Sequence, residues 1–129
     1  MHVDNKSKEV NDSFGHAAGD FLLKKFTERV LEQTRKCDTL ARISGDEFIM
    51  ILESLRDPDQ AANVAQKIVN LGKEPYFLDE KIIQTTISVG ISLYPKHGSD
   101  PADLLQRADA AMYLAKQAGK NNFQFYIHQ

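Results

Sequence analysis

Three observations predict an α+β fold in which helices cover a mainly antiparallel central sheet. Apolar residues recur at helical spacing in three separate stretches of the chain. Between these lie β-rich runs bounded by Gly, Asp and Pro, the turn chemistry of hairpins. The order helix, hairpin, helix, hairpin or long strand, helix, strand is that of a sheet with helices packed on it.

The first helix is "GDFLLKKFTERVLEQTRK", with Leu22, Leu23, Phe26, Val30 and Leu31 on its apolar stripe. Asp20 is expected in its first turn and Arg35 and Lys36 in its last, where each suits the helix dipole. A hairpin follows at 39 to 52. There "ARISGDEFIMIL" runs apolar, small, doubly acidic, then apolar, and Gly45-Asp46 is a turn pair. "DPDQAANVAQKIVNLGKE" gives the second helix, opened by Pro58, with Ala61, Val64, Ala65, Ile68 and Leu71 on one face. Gly72 is its expected stop. "YFLDEKIIQTTISVGISLYP" is β-rich, with Asp79 and Glu80 as a turn before a long strand. "DPADLLQRADAAMYLAKQAGK" is the third helix, its stripe Leu104, Leu105, Ala108, Ala111, Met112 and Ala115, closed by Gly119. "NFQFYIH" ends the chain as a strand with Phe123, Phe125 and Ile127 alternating. Only "MHV" precedes "DNKSKEVND", so the opening strand that such a sheet should have is very short or missing.

The 129 residues suffice for one domain with a real core, and 42% hydrophobic with 26% charged residues is ordinary globular composition. A formal net charge of −2 advertises no nucleic-acid surface. No apolar run approaches the roughly 20 residues of a membrane span, and the polar start is not a signal peptide. The expected location is the cytoplasm, or the cytoplasmic part of a larger membrane-attached protein. The single Cys37 fits a reducing compartment and reads as a small, partly buried apolar residue.

Asp46 and Glu47 at the hairpin tip are open to two readings. One is a solvated charged turn, the commonest use of Asp beside Gly; the other is a metal or phosphate site held on rigid strands. The flanking motifs decide. "RISGDEF", preceded by "VNDSFGHAAGD" and followed by "TISVGIS" and "ADAAMYLAKQAGKN", resembles the GGDEF domain of diguanylate cyclases, from about Lys8 to Asn122. Each motif alone is weak, but four in the family's order and spacing are specific.

The resemblance implies a palm-like sheet with a ferredoxin-like core, similar to that of nucleotide polymerases and adenylyl cyclases. It implies a homodimer in which each domain holds one GTP, the pair being joined into cyclic di-GMP with release of two pyrophosphates. Two Mg²⁺ ions per active site are expected, with Mn²⁺ as a substitute, held by the catalytic candidates Asp46 and Glu47; Asp4 is a weaker metal candidate. Mg²⁺ takes oxygen ligands and keeps several waters, so two or three carboxylates suffice. Gly45 lets the backbone approach phosphate, while Ser44 stands where the family has its first glycine. Asn11 and Asp20 match the guanine-binding pair, and Lys8, Lys116 and Lys120 match basic positions that meet phosphates. Arg35 and Asp38 in "RKCD" match the family's inhibitory site, which binds cyclic di-GMP away from the catalytic face.

One departure is serious. The family reads D-x-D-x-F-K before its "ND", and the first aspartate is a metal ligand on the first strand. A gapless alignment puts Val3 there; one inserted residue puts His2 there and leaves Asp4 as the second aspartate. Neither supplies the carboxylate. The expectation is therefore a single GGDEF domain over residues 1–129, N-terminally truncated and impaired as a cyclase, with an open sheet edge beside the shortened strand. The alternative is a degenerate GGDEF module that binds GTP or cyclic di-GMP and regulates a partner. Either way, a sensor or effector domain is expected in the full-length protein. A ferredoxin-like nucleic-acid binder is disfavoured by the charge. His16 reads as structural, and His2, His16, His97 and His128 lack zinc-site spacing.

Overall fold

The computed structural model describes residues 1–44 and 46–127. The first half runs β1 (His2–Asp4), α1 (Ser7–Phe14), α2 (His16–Glu32), β2 (Thr39–Arg42) and β3 (Glu47–Ile51). The second runs α3 (Pro58–Lys73), β4 (Tyr76–Leu78), β5 (Lys81–Ile83), β6 (Ser88–Ile91), α4 (Pro101–Gln117) and β7 (Asn122–Phe125). Five strands form one sheet in the order β2-β3-β1-β6-β7, and β4-β5 is a separate two-stranded hairpin. Every pairing is antiparallel except β6 with β7. The α+β class and the mainly antiparallel sheet are as the sequence predicts.

Strand alternation sorts side chains onto two faces. Val3, Phe48, Val89 and Ile91 meet Leu22, Phe26 and Val30 of α2 and Ala61, Ala65 and Ile68 of α3 in the main core. The opposite face takes α4 through Ala108, Ala111, Met112 and Ala115, all buried. This helix can dock closely because Gly90 has no side chain. A Cβ there would stand 2.0 Å from the Ala108 carbonyl oxygen and 2.2 Å from the Met112 nitrogen. Helices α3 and α4 open in the same way, with Asp57 and Asp100 accepting from Asp59 N and Ala102 N at 2.8 Å and Pro in the first turn.

Several expectations need correction. β1 is short, as foreseen, but it lies between β3 and β6 and so leaves no open edge. Residues 7–14 form a helix the periodicity did not reveal, so four helices rather than three are found among the described residues. Because α2 begins at His16, Asp20 lies in its second turn; because it ends at Glu32, Arg35 and Lys36 lie beyond it. Gly72 is a packing residue inside α3 rather than its stop: a Cβ would strike Ile87 Cγ1 at 2.0 Å. The long strand divides into β5 and β6, and β7 ends at Phe125, before Ile127. Leu31 and Leu105, placed on buried stripes, are 53% and 46% exposed. Cys37 is exposed.

Candidate active site

The β2–β3 turn delivers two carboxylates to one end of the sheet, and β1 adds a third. Asp4 is the register partner of Glu47 across β1 and β3, and Asn5 N donates to the Asp46 carbonyl at 2.9 Å. Ser44 Oγ sits 3.3 Å from Glu47 Oε2, closing the turn from within, while Gly45 lies outside the described residues. Asp4, the weakest of the metal candidates, thus joins Asp46 and Glu47 at this end of the sheet. The register that places it there is set by β3 and β6.

Electrostatics bind these groups together. Burial lifts the Asp46 carboxyl above its ordinary range, and the charges of Asp4 and Glu47 add to the shift against a backbone hydrogen bond and Lys116. Lys116 of α4 pairs with Asp4 Oδ2. Burial pulls its ammonium down, but Asp4, Glu47 and Asp46 outweigh that and hold it above its usual value. Three crowded carboxylates with one ammonium retain an excess of negative charge, and oxygen-only donors suit a hard divalent cation.

The turn after β1 carries basic groups. Asp4 Oδ1 accepts Lys6 N at 2.8 Å and Asn5 Oδ1 accepts Ser7 N at 3.1 Å, so the acids that shape the turn also start α1. Lys6, in the left-handed region at φ 57°, is buried at 8% exposure. Burial lowers its ammonium, as does neighbouring Lys120, against Glu9 and Asp4. Two lysines pressed together beside a helix N-terminus are a place for an anion. Lys120 was expected here and Lys6 was not. Lys8 is exposed on α1.

Asn11 and Asp20 come from different helices that pack on each other. Asn11 lies over Gly19, where a Cβ would fall 1.6 Å from its Oδ1; that oxygen is buried and has no hydrogen-bond partner. Asp20, the next residue, lines a shallow cleft of about 410 Å³ with Leu23, Lys24, Thr27, Glu28, Arg42 and Phe48. Arg42, whose Nε donates to the Ser44 carbonyl at 3.1 Å, joins this cleft to the acidic turn; no motif pointed to it.

Arg35 and Asp38 lie at the other end of the β2–β3 hairpin, roughly 15 Å away along the strands. Arg35 forks onto Asp38, with Nη2 to Oδ1 at 2.9 Å and Nε to Oδ2 at 3.3 Å, and donates to the Glu53 carbonyl at 2.7 Å. Burial pushes the Asp38 carboxyl up, but the Arg35 hydrogen bonds outweigh it and hold the group below its ordinary range. The structure therefore separates the predicted residues into an acidic cluster with its lysines, a cleft beside it, and a distal arginine-carboxylate fork.

A palm-like sheet with clustered carboxylates on its central strands defines an α+β domain of the nucleotide-cyclase type. The chain belongs to the GGDEF family: residues 1–122 match the family model described as "Diguanylate cyclase, GGDEF domain". It is 42% identical over 119 residues to MucR, a bifunctional diguanylate cyclase/cyclic di-GMP phosphodiesterase of Pseudomonas aeruginosa, covering 92% of this chain and 17% of MucR. It is 40% identical over 122 residues to NbdA, a cyclic di-GMP phosphodiesterase of the same species, covering 95% of this chain and 16% of NbdA. The solved GGDEF domain of TpbB from P. aeruginosa is similar with a TM-score of 0.93 at 37% identity, covering 98% of this chain and 74% of that one. The chain thus spans about a sixth of the length of these two curated relatives. Among the described residues, no helix is long and apolar enough to cross a membrane.

Proposed function

We propose that this domain binds GTP and, paired with a second copy, condenses two GTP into cyclic di-GMP. The observation that carries the reading is the convergence of Asp4, Asp46 and Glu47 from β1 and the β2–β3 turn, beside Lys116 and the Lys6–Lys120 pair. The donor set is all oxygen and over-supplied with negative charge, which fits Mg²⁺ or Mn²⁺. Bound there, a divalent ion would neutralise the triphosphate and polarise the α-phosphoryl group.

The remaining work falls to the chain's own groups. Lys6 and Lys120 hold the outer phosphates, and Lys116, released in part from Asp4, follows charge toward the departing pyrophosphate. Lys8, exposed on the same helix as Asn11, serves as a further phosphate contact. Asn11 offers both a donor and an acceptor to the guanine edge, and Asp20 accepts from its N–H groups, which selects guanine over adenine. Gly45 permits close backbone approach to phosphate at the turn. Each 3′-oxygen attacks the α-phosphorus of the facing nucleotide in line, forming one P–O bond as the bond to pyrophosphate breaks. One domain holds one nucleotide, so a homodimer is required. The cytoplasm, where GTP is made, is the expected location.

Chromatography of products after incubation with GTP and Mg²⁺ tests this. Cyclic di-GMP with two pyrophosphates per product is expected, and ATP should give none. A second reading, a regulatory module that binds but does not make cyclic di-GMP, is favoured by the formed Arg35–Asp38 fork. Binding of cyclic di-GMP by a chain that makes none would select it.

A further inference from the structure

We propose that His2, Glu47 and Asp109 form a site for a borderline divalent transition ion of the Zn²⁺ class, adjoining the carboxylate cluster and sharing Glu47 with it. His2 is the register partner of Gly90, so it faces α4 from the middle of the sheet, and it is only 6% exposed. Its Nε2 lies 3.5 Å from Glu47 Oε1 and its Nδ1 lies 3.2 Å from Asp109 Oδ1. Neither ring nitrogen makes a hydrogen bond. A neutral imidazole has one N–H and one lone pair, so carboxylates at both ends leave the lone pair facing an anion. A cation between them removes that conflict.

The dimensions suit such an ion. One ligand atom from each of the three residues falls within 4.8 Å of the others. Tetrahedral coordination with bonds of about 2.0–2.2 Å has ligand-to-ligand edges of about 3.3–3.6 Å. An ion takes one ring nitrogen; the separation of either nitrogen from its nearer carboxylate is already of that size, and the other carboxylate closes in from within 4.8 Å. His2 and Glu47 are held by β1 and β3, whereas the Asp109 side chain is 59% exposed, free to swing inward and leaving a path for entry. Histidine spacing could not reveal this site, because its single histidine is joined by carboxylates from a second strand and a helix.

Imidazole with carboxylates selects Zn²⁺-like ions, whereas the neighbouring all-oxygen cluster suits Mg²⁺. Because Glu47 belongs to both, an ion on His2 draws Glu47 from the cluster and weakens Mg²⁺-supported nucleotide binding. The inference stands apart from the proposed catalysis and holds whether or not the chain makes cyclic di-GMP.

The test is titration of the whole chain with Zn²⁺ by calorimetry, and with Co²⁺ by visible absorption, without nucleotide and in excess Mg²⁺. One ion per chain with tetrahedral Co²⁺ bands is expected. His2→Gln and Asp109→Asn should each weaken binding more than about tenfold, while Asp46→Asn and His16→Gln leave it in place. Asp109 is exposed, so its variant separates ligation from folding should His2→Gln fold poorly. Unchanged binding in Asp109→Asn, or loss of the ion to excess Mg²⁺, would overturn the site. So would the absence of saturable binding below millimolar ion.

Discussion

Replacing Asp4 by Asn isolates the charge of the third carboxylate from its structural work. Asp4 is 5% exposed and does two things: Oδ1 accepts Lys6 N at 2.8 Å, and Oδ2 meets Lys116. The Asn side chain keeps an oxygen in the Oδ1 position, so the turn into α1 survives. Its lost ion pair with the partly exposed Lys116 is worth up to about 1 kcal/mol, offset by relief of repulsion from Asp46 and Glu47. Folding stability should therefore change by less than about 1 kcal/mol. Binding is different, because one charged ligand of the proposed metal site is gone. A charge-assisted contact is worth about 1.5–3 kcal/mol, which is roughly 10- to 150-fold in Mg²⁺-dependent GTP affinity. Asp4→Ala removes the acceptor as well and should cost a further 1–3 kcal/mol or so of stability. Calorimetry with GTP across a Mg²⁺ series, beside urea unfolding of all three chains, reads both effects. Wild-type Mg²⁺ dependence in Asp4→Asn would remove Asp4 from the metal site, and equal destabilisation by Asn and Ala would refute the account of the turn.

Gly90→Ala should unfold the chain or cost well above the roughly 1–3 kcal/mol of ordinary overpacking, because its Cβ meets the α4 backbone; Gly72→Ala, facing the movable Ile87 side chain, should stay within that range by urea melts. Asp20→Asn should lower GTP affinity about tenfold or more and leave ATP binding unchanged, measured by competition. Arg35→Ala should weaken cyclic di-GMP binding roughly tenfold or more without affecting GTP. The Asp38 carboxyl is held below its ordinary range, so the fork stabilises the fold above about pH 4 and is lost as pH falls through the lower folded value. Asp38→Asn should flatten that acid limb in unfolding experiments at stepped pH.

The helices α3 and α4 were legible because Asp-Pro caps and clean apolar stripes act within one segment. So was the β2–β3 hairpin, since its turn residues and flanking strands are contiguous. What failed was non-local. α1 has few apolar residues, and of its eight only Ser7 and Val10 are buried, so it has almost no stripe to read; it is held by packing on α2 and by the side chains of Asp4 and Asn5. Gly72 and Gly119 look alike as helix terminators, yet one is buried against Ile87 and the other takes φ 105° at the true end of α4. Only the tertiary neighbour distinguishes them.

The same reason explains why the site was half seen. Asp46 and Glu47 announce themselves in a motif, but Asp4 gains its place from register: it stands opposite Glu47 on β3 and Ser88 on β6. That register also puts His2 beside Gly90, and the missing Cβ of Gly90 lets α4 press onto the sheet. From α4 then come Lys116, against Asp4, and Asp109, against His2, seven residues and two helical turns apart on one face. A packing glycine in a central strand thus sets the distance between the carboxylates and the helix that answers their charge. Any substitution that lifts α4 should loosen both proposed cation sites together, even though none of their proposed ligands has changed.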